Sequence, residues 1–227
     1  MSGRQLGLPL GTPAHFAAAD FLPADCNAAA LAWLDCGEVW PEGRLALWGD
    51  AGVGKSHALH RWAERAGAAV LSGPALRGIP ALPDRAAAID DADFATDPAA
   101  LLHLMNTLRE ARRPLLLAGR AAPAHWPMSL PDLGSRLRAT TAVRLETADD
   151  GLLRALLARL FHQRQLAVPE PVQAYLLARL PRDCGTLREA AARLDHASLA
   201  AGRAIDRTLA AMIAGEIEIE REAAVAG

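Results

Sequence analysis

Residues 49–56 read Gly49-Asp50-Ala51-Gly52-Val53-Gly54-Lys55-Ser56. Three glycines at this spacing let backbone N–H groups approach phosphate oxygens, and the start of a following helix adds a favourable dipole. An amine at Lys55 then reaches the β and γ phosphates, and the Ser56 hydroxyl is placed to bind Mg²⁺. This is a P-loop, and its cofactor is a nucleoside di- or triphosphate, ADP or ATP, with Mg²⁺. A second acidic site follows at Ala86-Ala87-Ala88-Ile89-Asp90-Asp91. There Asp90 suits a water-mediated Mg²⁺ ligand and Asp91 a base that orients an attacking water. An Ile-Asp-Asp run is weak by itself, because acids commonly follow strands; its place one βα unit after the P-loop gives it weight.

Phosphate-binding loops need a strand before them and a helix after them. Short apolar runs at Leu45–Trp48, Ala68–Leu71, Ala86–Ile89, Leu115–Ala118 and Ala142–Leu145 read as strands. Helical patterns lie between them at Lys55–Ala66 and Leu101–Arg112, the latter placing Leu101, Leu104, Met105 and Leu108 on one face. Another helix is expected over Asn27–Cys36. This alternation predicts a mainly parallel sheet. After Leu145 no strand candidate remains. Four apolar stripes predict helices: Leu152, Leu153, Leu156, Leu157, Leu160; Val172, Leu176, Leu177, Leu180; Leu187, Ala191, Leu194; and Ile205, Leu209, Met212, Ile213. The expected divisions are an extended arm over residues 1–14, an α/β domain over 15–146, a helical domain over 147–215 and an acidic tail over 216–227.

Composition is that of an ordinary globular chain of 227 residues, 52% hydrophobic and 22% charged. A net charge of −2 gives no basic excess for DNA binding as a main task. Cys26, Cys36 and Cys184 are odd in number and form no CxxC pair, so neither a disulfide framework nor a zinc site is indicated. Together with an N-terminus unlike a signal peptide, they suggest a cytoplasmic protein. No run approaches the ~18 apolar residues of a membrane span.

With both motifs placed, the chain resembles the DnaA branch of the AAA+ family, most of all its short regulatory members, the Hda proteins. Asp90-Asp91-Ala92-Asp93-Phe94 is similar to that family's acidic segment, and Leu102–Arg113 to the helix before its sensor strand. Leu130-Pro131-Asp132-Leu133-Gly134-Ser135-Arg136-Leu137 is similar to its arginine-finger box, and Gly202-Arg203-Ala204-Ile205 to the turn before its last lid helix. The resemblance implies a five-stranded parallel sheet between helices followed by a small all-helical lid, with room for neither of DnaA's flanking domains. It also implies that Arg136, with Arg138 and Arg120 as competitors, serves a nucleotide held by another subunit.

Gln5-Leu6-Gly7-Leu8-Pro9-Leu10 looks like the peptide with which Hda proteins bind the sliding clamp of DNA polymerase. Gln5 would make hydrogen bonds there, while Leu6, Leu8 and Leu10 about Pro9 offer apolar contact. The implied partners are therefore the clamp and DnaA, with DNA reached only through the clamp and a homo-oligomer possible. By the same resemblance Phe21, Leu22 and Asn27 are candidates for the adenine pocket. His57 is counted with the nucleotide contacts, although His57 and His60, on the P-loop helix, better suit a structural or surface role.

Two positions depart from the family pattern. Gly119-Arg120 stands where a small polar or acidic sensor should position water. Gly185 stands where a lid arginine belongs, and Arg188, three residues later on nearly the same face, is the substitute, with Arg182 behind it. Both departures favour a nucleotide-dependent regulator over a fast ATPase. The alternatives are an AAA+ helicase loader acting with single-stranded DNA and, in another class, a P-loop kinase of small molecules.

Overall fold

The computed structural model describes residues 21–36, 40–78 and 84–226. The arm residues Gln5, Leu6, Leu8, Pro9 and Leu10 therefore lie outside the described residues. The chain divides between Ala148 and Asp149 into two compact units, close to the expected boundary near Thr147.

The first unit is built on five parallel strands: β1 (Arg44–Trp48), β2 (Ala69–Ser72), β3 (Ala87–Asp90), β4 (Leu115–Gly119) and β5 (Thr141–Arg144). Their order is β2-β3-β4-β1-β5. Each expected apolar run contains its strand to within one residue. The central strands show why: β1, β3 and β4 are buried along nearly their whole length, and a strand covered on both faces is written as a continuous apolar run. Leu45 and Leu47 pack against Leu59 and Trp62 of α2 (Lys55–Ala66) and against Ala30 and Leu34 of α1 (Asp25–Asp35). Ala46 faces the opposite layer, made by Leu101, Leu104, Met105 and Leu108 of α3 (Pro98–Glu110) and Leu133 and Leu137 of α4 (Pro131–Arg138). α3 begins three residues before the expected start. Pro98 occupies its first turn, and the Asp97 carboxylate accepts the Ala100 N–H at 3.0 Å, an N-cap that hydrophobic periodicity does not reveal.

The second unit holds α5 (Asp150–Gln163), α6 (Glu170–Arg179), α7 (Cys184–Ala201) and α8 (Arg207–Ala226). Asp149 and Asp183 cap α5 and α7 through the N–H groups of Leu152 and Thr186. Most residues of the expected stripes are buried, Leu152 and Leu177 are half-buried, and Met212 departs from the expectation. Met212 is 49% exposed, while α8 buries Leu209, Ala210, Ile213, Ala214 and Ile217. The buried face advances by three and four residues from Leu209, and Met212 falls just beside it.

From Glu216 the acidic segment continues α8 to Ala226 as a helix end. Its acids pair with basic residues of the same unit. Glu218 meets Arg179 at 2.7 Å, Glu216 and Glu220 meet Arg193, and Arg221 meets Asp183 at 2.8 Å. Arg193 also binds Glu189 at 2.5 Å, one turn away on α7. Hydrogen bonding to Arg193 holds the Glu220 carboxyl below the usual glutamate range. A carboxyl lowered in the folded state stabilises it above the unfolded pKa, and that contribution fades as pH falls through the folded value. Arg193→Met is therefore expected to lower the thermal midpoint by about 1–2 °C at neutral pH, since the pairs are exposed. The gap between variant and parent should close as pH is taken below about 4, read by circular dichroism melts.

Candidate functional site

β1 ends at Trp48 and the chain turns into the glycine-rich loop. At Gly49 a Cβ would lie 2.5 Å from the Leu145 carbonyl oxygen, at φ 150°, so no other residue fits there. Gly54 adopts the left-handed conformation and α2 starts at Lys55, which leaves the first N–H groups of α2 pointing toward the loop. Asp50 and Ala51 are exposed, Gly52, Val53, Gly54 and Ser56 are half-buried, and Lys55 is only 8% exposed. The Lys55 ammonium donates to the carbonyl oxygens of Gly49 at 2.8 Å and Asp50 at 2.7 Å. Burial pulls the Lys55 pKa down, and Asp90, Asp91 and Asp93 oppose that shift. The loop, Lys55 and the three acids thus share one electrostatic neighbourhood at the C-terminal edge of the sheet, where open α/β sheets place their ligands.

Asp90 closes β3. Asp91 follows in a left-handed conformation, φ 50°, and its N–H donates to Asp90 Oδ1 at 3.1 Å. The turn is held from outside by Gly73, where a Cβ would come within 2.2 Å of the Asp91 carbonyl oxygen. Burial raises the Asp91 carboxyl pKa, and Asp90 and Asp93 push it in the same direction. The chemistry of the donors, the Ser56 hydroxyl and the Asp90 carboxylate, fits a hard cation that keeps several waters and a phosphate among its ligands. No cluster of three or more His, Cys, Asp or Glu that could hold a metal by itself occurs among the described residues.

The segment before α1 meets the loop helix directly. Phe21 lies edge-on to the buried ring of His57, centroids 5.2 Å apart, and the Arg61 guanidinium stands 6.0 Å from the Phe21 ring. Leu22 is half-buried. Asn27, 6% exposed, fixes this approach: its amide donates to the Leu22 carbonyl at 2.9 Å, and its oxygen accepts the Ala24 N–H at 3.0 Å. His57 is thus a packed member of the α2 face.

The end of β4 contains what the sequence does not reveal. A Cβ on Gly119 would lie 2.7 Å from the ring of Trp126 and 3.1 Å from Cγ of Asp93. Trp126 is itself held by a hydrogen bond to the Ala121 carbonyl at 2.8 Å. The volume a sensor side chain would use is filled by an aromatic ring. The Arg120 N–H donates to Asp93 Oδ2 at 2.7 Å, and its guanidinium stacks 5.0 Å over the ring of Phe94. A buried tryptophan seven residues away leaves no periodic signature, so only packing brings it to notice.

Arg136 is elsewhere. It sits in the last turn of α4, paired with Asp132 at 3.3 Å. Its carbonyl accepts the Thr140 hydroxyl at 2.9 Å, and β5 begins at the next residue, beside Leu45. Arg136 therefore lies where the strands begin, across the five residues of β1 from the loop, about 16 Å along the strand. Arg138 shares that edge and donates to the Ser135 hydroxyl. Arg120 is on the loop edge. In the second unit, Gly185 falls in the first turn of α7 and the half-buried Arg188 one turn later, whereas Arg182 is engaged with Asp150.

Residues 149–207 match the family model of the Hda lid domain. Among solved structures, domain III of the replication initiation protein DnaA from Thermotoga maritima superposes with a TM-score of 0.72 at 16% identity, covering 88% of this chain and 96% of that one. AMPPCP-bound DnaA from Aquifex aeolicus gives 0.60 at 15% identity over 78% of this chain and 64% of that one. A RuvB mutant from Thermotoga maritima gives 0.64 at 16% identity over 85% and 69%. The chain spans less than two thirds of the longer DnaA chains it matches. With five parallel strands in the order described, the chain has the fold of these DnaA and RuvB structures, and its residues 149–207 match an Hda-type lid domain.

Proposed function

We propose that this protein is a nucleotide-bound regulator of the replication initiator, acting on a nucleotide held by another AAA+ subunit. The observation that carries this reading is the position of Arg136. A residue about 16 Å along the sheet from its own glycine-rich loop serves no phosphate bound there. Its side chain is 21% exposed and paired with Asp132, a bond it would exchange for a neighbour's phosphate, and an arginine placed in trans stabilises the charge that develops on a transferring phosphoryl group.

The protein's own pocket then works as a switch. ADP or ATP would occupy the loop, with the first N–H groups of α2 on the phosphates. Lys55 would exchange the Gly49 and Asp50 carbonyls for phosphate oxygens. Ser56 and, through water, Asp90 would hold Mg²⁺, which neutralises phosphate charge when bound. Asp91 is placed to orient water, but the Gly119 position offers no polar side chain to help it, so hydrolysis in this pocket is slow. Phe21, Leu22 and His57 would border the base, and Arg188 would supply the lid's cation.

The Hda-type lid supports DnaA as the partner. In this reading residues 5–10 dock on the DNA-loaded sliding clamp, so that DNA is reached only through the clamp, and the protein works in the cytoplasm at the replisome. Self-association through the same finger interface would be a resting form.

Two experiments test this. The rate at which DnaA hydrolyses ATP, measured with DNA-loaded clamp, should rise on adding the protein, and Arg136→Ala should remove about 10³-fold of that stimulation while nucleotide binding to the chain persists. A variant that stimulates as well as the parent would defeat the finger assignment. Separately, Leu6→Ala/Leu8→Ala should abolish binding to purified clamp in surface plasmon resonance. Unchanged binding would remove the arm's role, and no stimulation of DnaA at all would turn attention to a helicase as the partner.

A further inference from the structure

Arg44 opens β1 and is 4% exposed. Its Nε and Nη1 are buried with no hydrogen-bond partner. Leaving two buried nitrogens of a guanidinium without acceptors is costly, and nothing in the fold so far described requires it. Its surroundings are cationic. Alternation along β1 sends Arg44 to the same face as Ala46, the one covered by α3 and α4. Near their ends these two helices carry Arg109 and Arg136, whose charges act on Arg44. Leu45 pairs with Thr141, and Thr140 is bonded to the Arg136 carbonyl, so Arg44 and Arg136 are brought to one corner of the sheet. The nearby acids are partly committed: Glu42 to Arg109 at 3.7 Å and Asp132 to Arg136. Burial pulls the Arg44 pKa down; Glu42 opposes that shift, and Arg136 and Arg109 add to it.

We infer that Arg44 and Arg136 together form an anion-binding site at the N-terminal edge of the sheet, whose ligand is the phosphate chain of a nucleotide held by a facing AAA+ subunit. The inference rests on the trans-acting reading of Arg136 and adds a second cation to it. Arg136 reaches outward, and Arg44, fixed behind it, holds positive potential at the base of the finger. A phosphate group entering the corner supplies the hydrogen-bond acceptors that Arg44 lacks. The like charge of the two arginines favours the extended finger until an anion arrives to bridge them.

The chain alone provides the first test. In a Lys55→Ala background, which silences the glycine-rich loop, tripolyphosphate at about ten times its dissociation constant should raise the thermal midpoint by about 4 °C. The rise should vanish in Lys55→Ala/Arg44→Met and in Lys55→Ala/Arg136→Ala, and persist in Lys55→Ala/Arg138→Ala, whose arginine shares the helix end but not the corner. A rise that survives Arg44→Met, one that is lost equally with Arg138→Ala, or no rise at all overturns the site. Arg44→Met by itself should melt at or above the parent's temperature, since it removes an unpaired buried charge; a fall of several degrees would make Arg44 a structural residue and overturn the inference.

The DnaA assay separates this inference from the reading beneath it. Stimulation of ATP hydrolysis should drop at least tenfold in Arg44→Met and recover in part in Arg44→Lys. Loss with Arg136→Ala but not with Arg44→Met overturns the two-arginine site and leaves the finger standing. Insensitivity to both overturns the finger, while the tripolyphosphate melts still decide whether the corner binds anions.

Discussion

The strand β1 is the constraint on which the rest of this unit depends. It is hydrogen-bonded to β4 on one side and β5 on the other, and both of its faces are covered. Such a strand cannot tilt or slip, because a one-residue shift would exchange the Leu45/Leu47 face with the Arg44/Ala46 face. Its two ends are consequently fixed points. One end delivers the backbone of Gly49 against the Leu145 carbonyl, which sets the loop. The other carries Arg44 into the corner made by α3 and α4. Parallel topology then sorts the chemistry: residues after strands gather at the loop edge, and residues at the ends of the returning helices gather at the opposite edge. The separation of Lys55 from Arg136 follows from this polarity.

At the loop edge, charge and burial are balanced rather than simply favourable. The Lys55 ammonium is nearly buried, and the loop's own carbonyls satisfy it when no phosphate does. Three aspartates within its electrostatic reach oppose the downward pull of desolvation on its pKa. The same crowding raises Asp91. Asp93 is tied to the Arg120 N–H, which leaves its other oxygen buried without a partner. The acidic segment therefore has divided duties: Asp90 and Asp91 face the loop, while Asp93 fastens the end of β4.

Gly119 shows how packing fixes a chemical property. The sequence registers only the absence of a polar side chain at that position. The ring of Trp126, set by its bond to Ala121, occupies the space and makes the absence obligatory. A polar residue could return only if the ring moved. The helical unit uses charge differently. The acidic stretch of its last helix is bound to Arg179 and Arg193, and Arg221 of the same helix to Asp183, which ties that helix end to the rest of the helical unit.

The sequence by itself determined the five strands, the glycine-rich loop after the first and the acidic pair closing the third, and the change to an all-helical second half. Each of these is local: a buried parallel strand needs a continuous apolar run, a phosphate loop needs glycines at fixed spacing, and a helix needs its 3.6-residue stripe. Capped ends were less legible, because the Asp97 cap moved α3 upstream without altering its apolar face. Tertiary structure alone decided which edge of the sheet each arginine occupies, why Gly119 carries no side chain, that Met212 turns outward, and that Arg44 lies buried and unpartnered beside Arg136. Those facts depend on pairs of residues far apart in the chain, such as Gly119 with Trp126 or Arg44 with Arg136. They are set by strand order and by which helix covers which face, which no single window of sequence contains.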